Sequence, residues 1–338
     1  MSLNRRHFIQ RSAITATGMT SFGFAFKPAL AADKITLALD WYPNANHTGL
    51  FQAQADGLFI AAGLDLDLYT PSDPTVVLQT VGAGRDTFGI SYQTDVLFAR
   101  AQGVPVVSIA ALVQHPLICL MSLKSAGISR PADLNGKTVG YPGIPSQEAF
   151  LATMLETDGL TAADVELVNV EFNLLPALIS GQADAVMGAY WTHETILAEQ
   201  EGYPVDILRV EEWGVPDFYE LVLVTSEETL KTRPDMVEAF LTAMQRGYES
   251  TIADPATALE TLVTAYPETD RSVEEQGLAL LLPAWTDGVT TFGEQHAERW
   301  SSYAAWMASR GLIPANLDVN AAFSTLLLPT GSATPESE

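Results

Sequence analysis

The chain has 338 residues, 47% of them apolar and 17% charged, with a formal net charge of −24 at pH 7. Nucleic acids and anionic lipid surfaces require clustered Lys or Arg, so this acidic balance argues against both as partners. The single cysteine, Cys119, allows no disulfide within the chain. It lies in an apolar run without a basic neighbour, so we expect a buried, inert thiol.

The first 31 residues have the composition of an export signal. They contain four basic and no acidic residues, and residues 4–9 (Asn-Arg-Arg-His-Phe-Ile) resemble the twin-arginine motif. An apolar middle follows, and Ala29, Leu30 and Ala31 fit the small-residue cleavage rule, with cleavage after Ala31 or Ala32. Residues 1–31 are therefore predicted to be a twin-arginine signal peptide. Without them the formal charge is near −28, and the protein is expected in the periplasm.

The remaining chain alternates predicted strands and helices. The predicted strands of its first part are residues 35–39, 64–69, 87–91, 104–112 and 117–123. The predicted helices between them are residues 50–56, a helix capped by Asp73 with Pro74 at its first position, and residues 95–102. No segment reaches the roughly 18 uninterrupted apolar residues of a membrane span, so no direct membrane insertion is expected.

The alternation then restarts and ends in a helical region. The next predicted strands are residues 137–141, 166–170, 185–188 and 221–225, and the helices among them are 146–156, 174–180 and 193–200. Helices are predicted for residues 234–252, 255–265, 273–282 and 294–309. Residues 329–338 are polar, and a disordered tail is predicted there.

This order of elements predicts an α/β protein of two halves, the second inserted into the first. The predicted domain 1 comprises residues 33–120 and 222–328, and the predicted domain 2 comprises residues 121–221. The chain is expected to cross between them through two apolar strands and to hold a small molecule in the cleft of a clamshell.

The loop after the first predicted strand carries the strongest functional signal. Residues 40–48 read Asp-Trp-Tyr-Pro-Asn-Ala-Asn-His-Thr, which is a polar and aromatic block between a strand and a helix. In open α/β sheets, ligands bind at the carboxyl ends of the strands. Residues 41–48 and the corresponding loop of the second half, residues 141–147, are therefore expected to face the cleft.

Motifs for catalysis are nearly absent. The chain has no Gly-x-Ser-x-Gly elbow, no Walker-type phosphate loop and no His or Cys spacing suited to a metal. Gly140 and Gly143 with Ser146 at a helix start are a weak anion-binding signal that turn glycines explain equally well. We expect no cofactor, no metal and no enzymatic activity.

Several segments resemble the periplasmic pyrimidine-binding proteins of thiamin salvage: residues 39–51, 69–74, 91–95, 110–116, 139–149 and 188–194. The likeness covers about residues 34–328. It implies a type II periplasmic-binding-protein clamshell that delivers N-formyl-4-amino-5-aminomethyl-2-methylpyrimidine to the permease of an ABC importer. A monomer is expected.

An aminopyrimidine is a flat π system with a donating amine and accepting ring nitrogens, so its site needs aromatic plates and polar groups at the ring edge. With the resemblance, this requirement selects the candidate ligand-binding residues Trp41, Asn44, His47, Tyr92, Gln93, Tyr141, Tyr190, Trp191, Glu194 and Tyr219.

Glu194 is expected to accept from the ring amine, Asn44 and Gln93 to serve the formamide end, and His47 to donate to a ring nitrogen or carbonyl. The alternative for Glu194 is a favourable charge in the first turn of its helix. For Tyr219, ligand contact and packing are equally favoured.

Two other functions remain open. The chain is also similar to a thiamin pyrimidine synthase that uses pyridoxal phosphate and iron, but alignment puts Ser91 at its cofactor lysine and Asp95 at its essential histidine. A Schiff base cannot form without the lysine. A clamshell receptor for another heterocycle, a flavin or a sulfonate is the second alternative, although the candidate loops offer no Arg or Lys for an anion.

Overall fold

We describe residues 32–329 of a computed structural model of the chain. The predicted export signal lies outside this part, as do all but the first residue of the predicted polar tail. The strands are β1 (Asp33–Ala38), β2 (Leu64–Tyr69), β3 (Phe88–Ser91), β4 (Val106–Val113), β5 (Ile118–Leu123), β6 (Thr138–Tyr141), β7 (Glu166–Asn169), β8 (Ala185–Tyr190), β9 (Val205–Arg209) and β10 (Leu221–Ser226).

Twelve helices are found in the same residues. They are α1 (Thr48–Ala55), α2 (Leu58–Ala61), α3 (Val77–Gly82), α4 (Gln93–Ala101), α5 (Pro145–Thr157), α6 (Leu174–Ile179), α7 (Glu194–Gln200), α8 (Glu227–Thr232), α9 (Pro234–Ala253), α10 (Pro255–Ala265), α11 (Arg271–Thr286) and α12 (Ala297–Ser309). None of them is both long and apolar enough to span a membrane.

Two five-stranded sheets form the framework. The first has the order β2-β1-β3-β10-β4, with β1 parallel to β2 and β3 and with β10 antiparallel to both of its neighbours. The second has the order β7-β6-β8-β5-β9 and repeats this pattern, because β5 is antiparallel to β8 and β9. We call the first sheet with α1–α4 and α8–α11 the first lobe, and the second sheet with α5–α7 the second lobe.

Sequence patterns explain the strands. In β2, Leu64 and Leu66 face inward while Asp65 and Asp67 face solvent, as period-2 alternation requires. In contrast, β4 is buried along its whole length because helices cover both faces of its sheet. In the second sheet, the buried Cys119 thiol donates to the carbonyl of Ala189, and burial holds its pKa well above the ordinary value.

The two lobes share a hydrophobic core. One cluster of buried side chains includes Ala38 and Val224 from the first sheet and Leu120 and Met187 from the second. Helix α12 packs against both lobes and adds the aromatic rings of this cluster: Trp300, Tyr303 and Trp306.

The structure differs from the sequence predictions at several points. Strand β9 and helices α2 and α8 were not predicted. Helix α12 begins at Ala297, not at residue 294, because the backbone of His296 is extended (φ −117°, ψ 129°), and its N–H donates to the Tyr219 hydroxyl group. The predicted domain boundary after residue 120 falls inside β5, all of whose residues pair in the second sheet.

Candidate ligand-binding site

The site lies at the carboxyl ends of the parallel strands, where loops from both lobes approach one another. In the first lobe, Asp40 and Trp41 follow β1, and Tyr92 follows β3. In the second lobe, Tyr190 ends β8 and Trp191 comes directly after it. This is the sheet edge at which open α/β proteins bind their ligands.

The first-lobe part of the site is built around the buried carboxylate of Asp40. One of its oxygens accepts from His47 Nε2 at 2.8 Å, and the other accepts from the Tyr92 hydroxyl group at 3.0 Å. Burial and the negative charge of Asp40 hold the pKa of Tyr92 well above its ordinary value. Tyr92 is therefore a protonated donor toward Asp40.

His47 is fully buried, and both of its ring nitrogens form hydrogen bonds within the protein. The backbone N–H of Asn44 donates to His47 Nδ1 at 3.2 Å, which places the imidazole proton on Nε2, facing Asp40. The sequence predicted that His47 donates to the ligand, whereas in this structure its single N–H positions Asp40. The physical reason is burial, because a buried imidazole must satisfy both nitrogens within the protein.

Asn44 likewise orders its own loop. Its side-chain oxygen accepts from the backbone and side-chain N–H groups of Asn46 at 2.9 and 3.0 Å, and its amide nitrogen donates to the Tyr42 carbonyl at 3.0 Å. The amide thus caps the short 3-10 turn that precedes α1. Contact between Asn44 and the formamide end of a ligand stays a prediction.

Glu220 is the second buried carboxylate of the site, and sequence analysis did not select it. Its oxygens accept from the backbone N–H of Leu117 at 2.6 Å and from the Tyr190 hydroxyl group at 2.8 Å. Burial raises the pKa of Glu220 to about 7, and the nearby charge of Asp40 contributes in the same direction. The available signal was an acidic residue immediately before the apolar strand β10.

Glu194 lies at the start of α7. One of its carboxylate oxygens accepts from the backbone N–H of Tyr190 at 2.7 Å. This contact agrees with the alternative role at a helix start. The side chain is only half-buried, so its role as an acceptor for a ring amine stays a prediction.

Trp191 is held at both its polar edge and one ring face. Its indole N–H donates to the Pro116 carbonyl at 3.0 Å, and the guanidinium of Arg209 lies 4.1 Å from the ring centroid. Sequence analysis found no Arg or Lys in the candidate loops, because Arg209 belongs to the unpredicted strand β9. Arg209 has an acidic neighbour, Glu211, at 3.7 Å.

Trp41 and Tyr141 are more open to solvent. Trp41 is 40% exposed and packs edge-on against Tyr42, with ring centroids 5.6 Å apart. It also contacts Phe172 of the second lobe at 5.6 Å. Tyr141 ends β6 and donates its hydroxyl hydrogen to Glu148 of α5.

Gln93 and Tyr219 are fully buried and contact each other: the Tyr219 backbone N–H donates to Gln93 Oε1 at 2.7 Å. The Tyr219 ring lies between the guanidinium of Arg299, at 4.6 Å, and the indole of Trp300, at 6.2 Å. These contacts turn Tyr219 toward α12, so its observed role is packing. Gln93 Nε2 is buried and finds no acceptor among residues 32–329.

The side chains that commonly bind metals are dispersed in the described part of the chain. Nowhere in residues 32–329 do three or more His, Cys, Asp or Glu side chains come together as a metal site. The polar groups of the cleft are instead phenols, indoles, amides and carboxylates, which suit a neutral or electron-poor organic ring.

Similarity to known proteins agrees with this architecture. The periplasmic aliphatic sulphonate binding protein SsuA from Escherichia coli superimposes with a TM-score of 0.70, covering 90% of this chain and 95% of that protein at 15% identity. This likeness confirms the predicted fold, the two-domain α/β clamshell of that protein. At such low identity it carries no information about the solute.

Sequence similarity extends the comparison. A formylaminopyrimidine-binding protein from Halalkalibacterium halodurans is 37% identical over 300 residues, which is 88% of this chain and 91% of that protein. The 4-amino-5-hydroxymethyl-2-methylpyrimidine phosphate synthase THI5 from Saccharomyces cerevisiae is 29% identical over 249 residues, covering 71% and 73% of the two chains. The family model described as NMT1/THI5 like matches residues 44–258. The chain therefore belongs to the NMT1/THI5-like family.

Proposed function

We propose that the protein captures an aminopyrimidine precursor of thiamin, N-formyl-4-amino-5-aminomethyl-2-methylpyrimidine, and delivers it to the permease of an ABC importer. The observation that carries this proposal is the meeting of aromatic rings and acidic acceptors from both lobes at the carboxyl ends of the strands. The relative from Halalkalibacterium halodurans, described as a formylaminopyrimidine-binding protein, supports the same solute.

The chemistry of the site suits such a ring. Trp41 of the first lobe and Trp191 of the second offer flat apolar faces, and one face of Trp191 is already covered by Arg209. The Tyr92 and Tyr190 hydroxyl hydrogens are directed to Asp40 and Glu220. The phenol oxygens therefore keep lone pairs that can accept from an amine.

Anionic solutes fit less well. The buried carboxylate of Asp40 lies beside the cleft, and its negative charge disfavours a sulfonate. Two cations lie near predicted site residues, and each has an acidic neighbour: Arg209 stacks on Trp191 with Glu211 beside it, and Arg299 lies against Tyr219 and pairs with Asp217. A neutral or amine-bearing heterocycle is the better match.

A function as a solute carrier is also favoured over a function as a pyrimidine synthase. The position aligned with the synthase lysine is Ser91, at the end of β3, and the position aligned with its histidine is Asp95, in α4. A hydroxyl group cannot form a Schiff base with pyridoxal phosphate.

Calorimetric titration of the purified protein with three solutes tests the proposal: the formylaminopyrimidine, riboflavin and an alkanesulfonate. We expect saturable binding of the pyrimidine, together with a rise in melting temperature, since a ligand that binds only the folded state stabilises it. Binding of riboflavin or the sulfonate with no response to the pyrimidine contradicts the assigned solute.

We further infer that the protein works outside the cytoplasm as a monomer and is exported by the twin-arginine route. The paired Arg5 and Arg6 in the amino-terminal segment support the route. Export in the folded state suits a chain with one buried cysteine and no possible internal disulfide.

A further inference from the structure

An aromatic contact joins the two lobes at the rim of the candidate site. The rings of Trp41, after β1, and Phe172, after β7, have centroids 5.6 Å apart and planes inclined by 46°. Tyr42 packs edge-on against the same Trp41 ring. The three rings thus form one cluster, to which each lobe contributes.

This cluster is unusually open for its composition. Phe172 is 68% exposed, Tyr42 is 69% exposed and Trp41 is 40% exposed. A group of contiguous exposed apolar side chains commonly marks a functional surface rather than packing. Phe172 adds little to the core, because most of its ring remains in water.

The backbone is strained at the residue before Phe172. Glu171 has a φ of 52°, in the left-handed region that residues other than glycine rarely adopt. Among residues 32–329, no other non-glycine residue has a positive φ. Its N–H donates to Asn169 Oδ1 at 2.8 Å, and the N–H of Asn173 donates to the Val170 carbonyl at 3.1 Å. Strain that the surroundings maintain in this way is concentrated at ligand clamps and switch regions.

A neighbouring loop holds the same turn in place. Gly143, in the loop between β6 and α5, has a φ of 81°, and a Cβ atom there would lie 2.6 Å from Asn169 Nδ2. The absence of a side chain at Gly143 lets Asn169 occupy that space. The loops after β6 and β7 therefore interlock, and together they fix the position of Phe172.

We propose that Phe172 is a gate residue, which holds the rim of the cleft closed against Trp41 and thereby sets how long a bound solute stays. This inference rests on the proposed solute-carrying function and adds a residue that controls release. A contact that exists only when the lobes are close stabilises that arrangement alone, so it shifts the opening equilibrium. Because opening precedes escape, the contact slows dissociation.

The size of the effect follows from the kind of contact. Aromatic pairs contribute about 0.5–1.5 kcal/mol beyond their buried area, which corresponds to roughly a twofold to tenfold change in an equilibrium. We therefore expect Phe172→Ala to raise the dissociation rate of the formylaminopyrimidine by about twofold to tenfold. The exposure of Phe172 predicts an unchanged melting temperature for the protein alone.

The matched control is Tyr203→Ala. Tyr203 is another exposed aromatic residue of the second lobe, 36% exposed, and follows α7. Its variant is expected to release the pyrimidine at the wild-type rate. The conservative variant Phe172→Tyr keeps a ring at the rim and is expected to restore slow release, which a merely structural role would not require.

Small-angle scattering of the protein without added solute provides a second, ligand-independent readout. If the gate holds the lobes together, Phe172→Ala has a larger radius of gyration than wild type and Tyr203→Ala. Equal radii, or a wild-type dissociation rate in Phe172→Ala, overturn the gate. Failure of the wild type to bind the pyrimidine refutes only the assigned solute, because the scattering comparison still decides the inference.

Discussion

At the scale of single residues, burial determines which polar groups of the cleft remain available to a ligand. His47 was expected to be a donor, but both of its ring nitrogens are engaged by Asp40 and by the backbone of Asn44. Glu194 keeps a half-buried carboxylate, with one oxygen bonded to the Tyr190 N–H. The acceptor role predicted for Glu194 thus belongs to a side chain that also supports a helix start, and substitution can separate the two roles.

Replacing Glu194 with Gln tests this directly. Gln keeps the shape and an oxygen for the Tyr190 N–H, but it substitutes a neutral acceptor and adds an N–H donor facing the ring amine. We expect a loss of about 1.5–3 kcal/mol in binding free energy, the scale of a hydrogen bond to a charged group. Calorimetric titration with the formylaminopyrimidine measures the change. Glu199→Gln, on the exposed side of the same helix, is the control. Wild-type affinity in Glu194→Gln would assign the carboxylate to the helix start alone.

Glu220 makes stability depend on pH. Burial raises its pKa to about 7 in the folded state, above its ordinary value of 4.5. Between these values the folded state holds a proton that the unfolded state has lost, so the free energy of unfolding falls as pH rises. One such group contributes a slope of at most about 1.4 kcal/mol per pH unit.

Urea unfolding of wild type and Glu220→Gln at several pH values between 4.5 and 8 measures this slope. The variant is expected to show a shallower fall between about pH 5 and 7. Asp95→Asn is the comparison, because burial raises the pKa of Asp95 only to about 6 and its slope therefore ends earlier. Identical slopes for wild type and Glu220→Gln between pH 6 and 7 would refute the assignment.

At the scale of elements, two features that lack a strong sequence signal shape the site. Strand β9 is a short edge strand of the second sheet, and it places Arg209 against Trp191. Helices α1 and α9 cross where glycines face each other: a Cβ atom on Gly247 would lie 2.2 Å from the Gly49 carbonyl oxygen. This close approach fixes the position of α1, and α1 directly follows the site loop.

The crossing predicts that Gly247→Ala destabilises the protein. At an exposed helix position, alanine is more stable than glycine by about 0.5–1 kcal/mol. Here the added methyl group collides with backbone, so we expect a net loss of about 1–3 kcal/mol, the usual cost of overpacking. The measurement is urea unfolding, with Arg246→Ala on the exposed face of the same helix as control. A stabilised Gly247→Ala variant would show that the helices separate at little cost.

At the scale of the whole molecule, the lobes are joined by more than their two chain crossings. Helix α12 contacts the second lobe, where Trp306 stacks on Phe150 at 5.5 Å and Arg310 pairs with Glu156 at 2.8 Å. Tyr303, in the same helix, stacks on Phe218 before β10 at 4.6 Å. Opening of the cleft must therefore pivot about α12 or break these contacts, while the Trp41–Phe172 contact lies at the rim.

Export is a property of the whole chain that can be tested. Replacing Arg5 and Arg6 together with Lys should leave full-length precursor in the cytoplasm, because the twin-arginine pathway reads the paired guanidinium groups. Cell fractionation and immunoblotting give the distribution, and Arg11→Lys is the control in the same segment. Normal export of the double variant would refute twin-arginine routing.

The sequence by itself determined the repeating strand and helix order and the fold class, and it selected the loops that form the candidate site. These features depend on local periodicity, as in the Leu-Asp alternation of β2, and on segments such as residues 39–51 that resemble the family. Most predicted elements agree with the structure to within a few residues, and β2 has the predicted bounds.

Only the tertiary structure decided how the individual side chains are used. Glu220 contacts Leu117, which is 103 positions away, and Trp41 meets Phe172 across the lobes. Tyr219, which the sequence left open between ligand contact and packing, turns toward α12. The physical reason is that burial and hydrogen-bond partners arise from contacts between distant segments, which periodicity and composition do not encode.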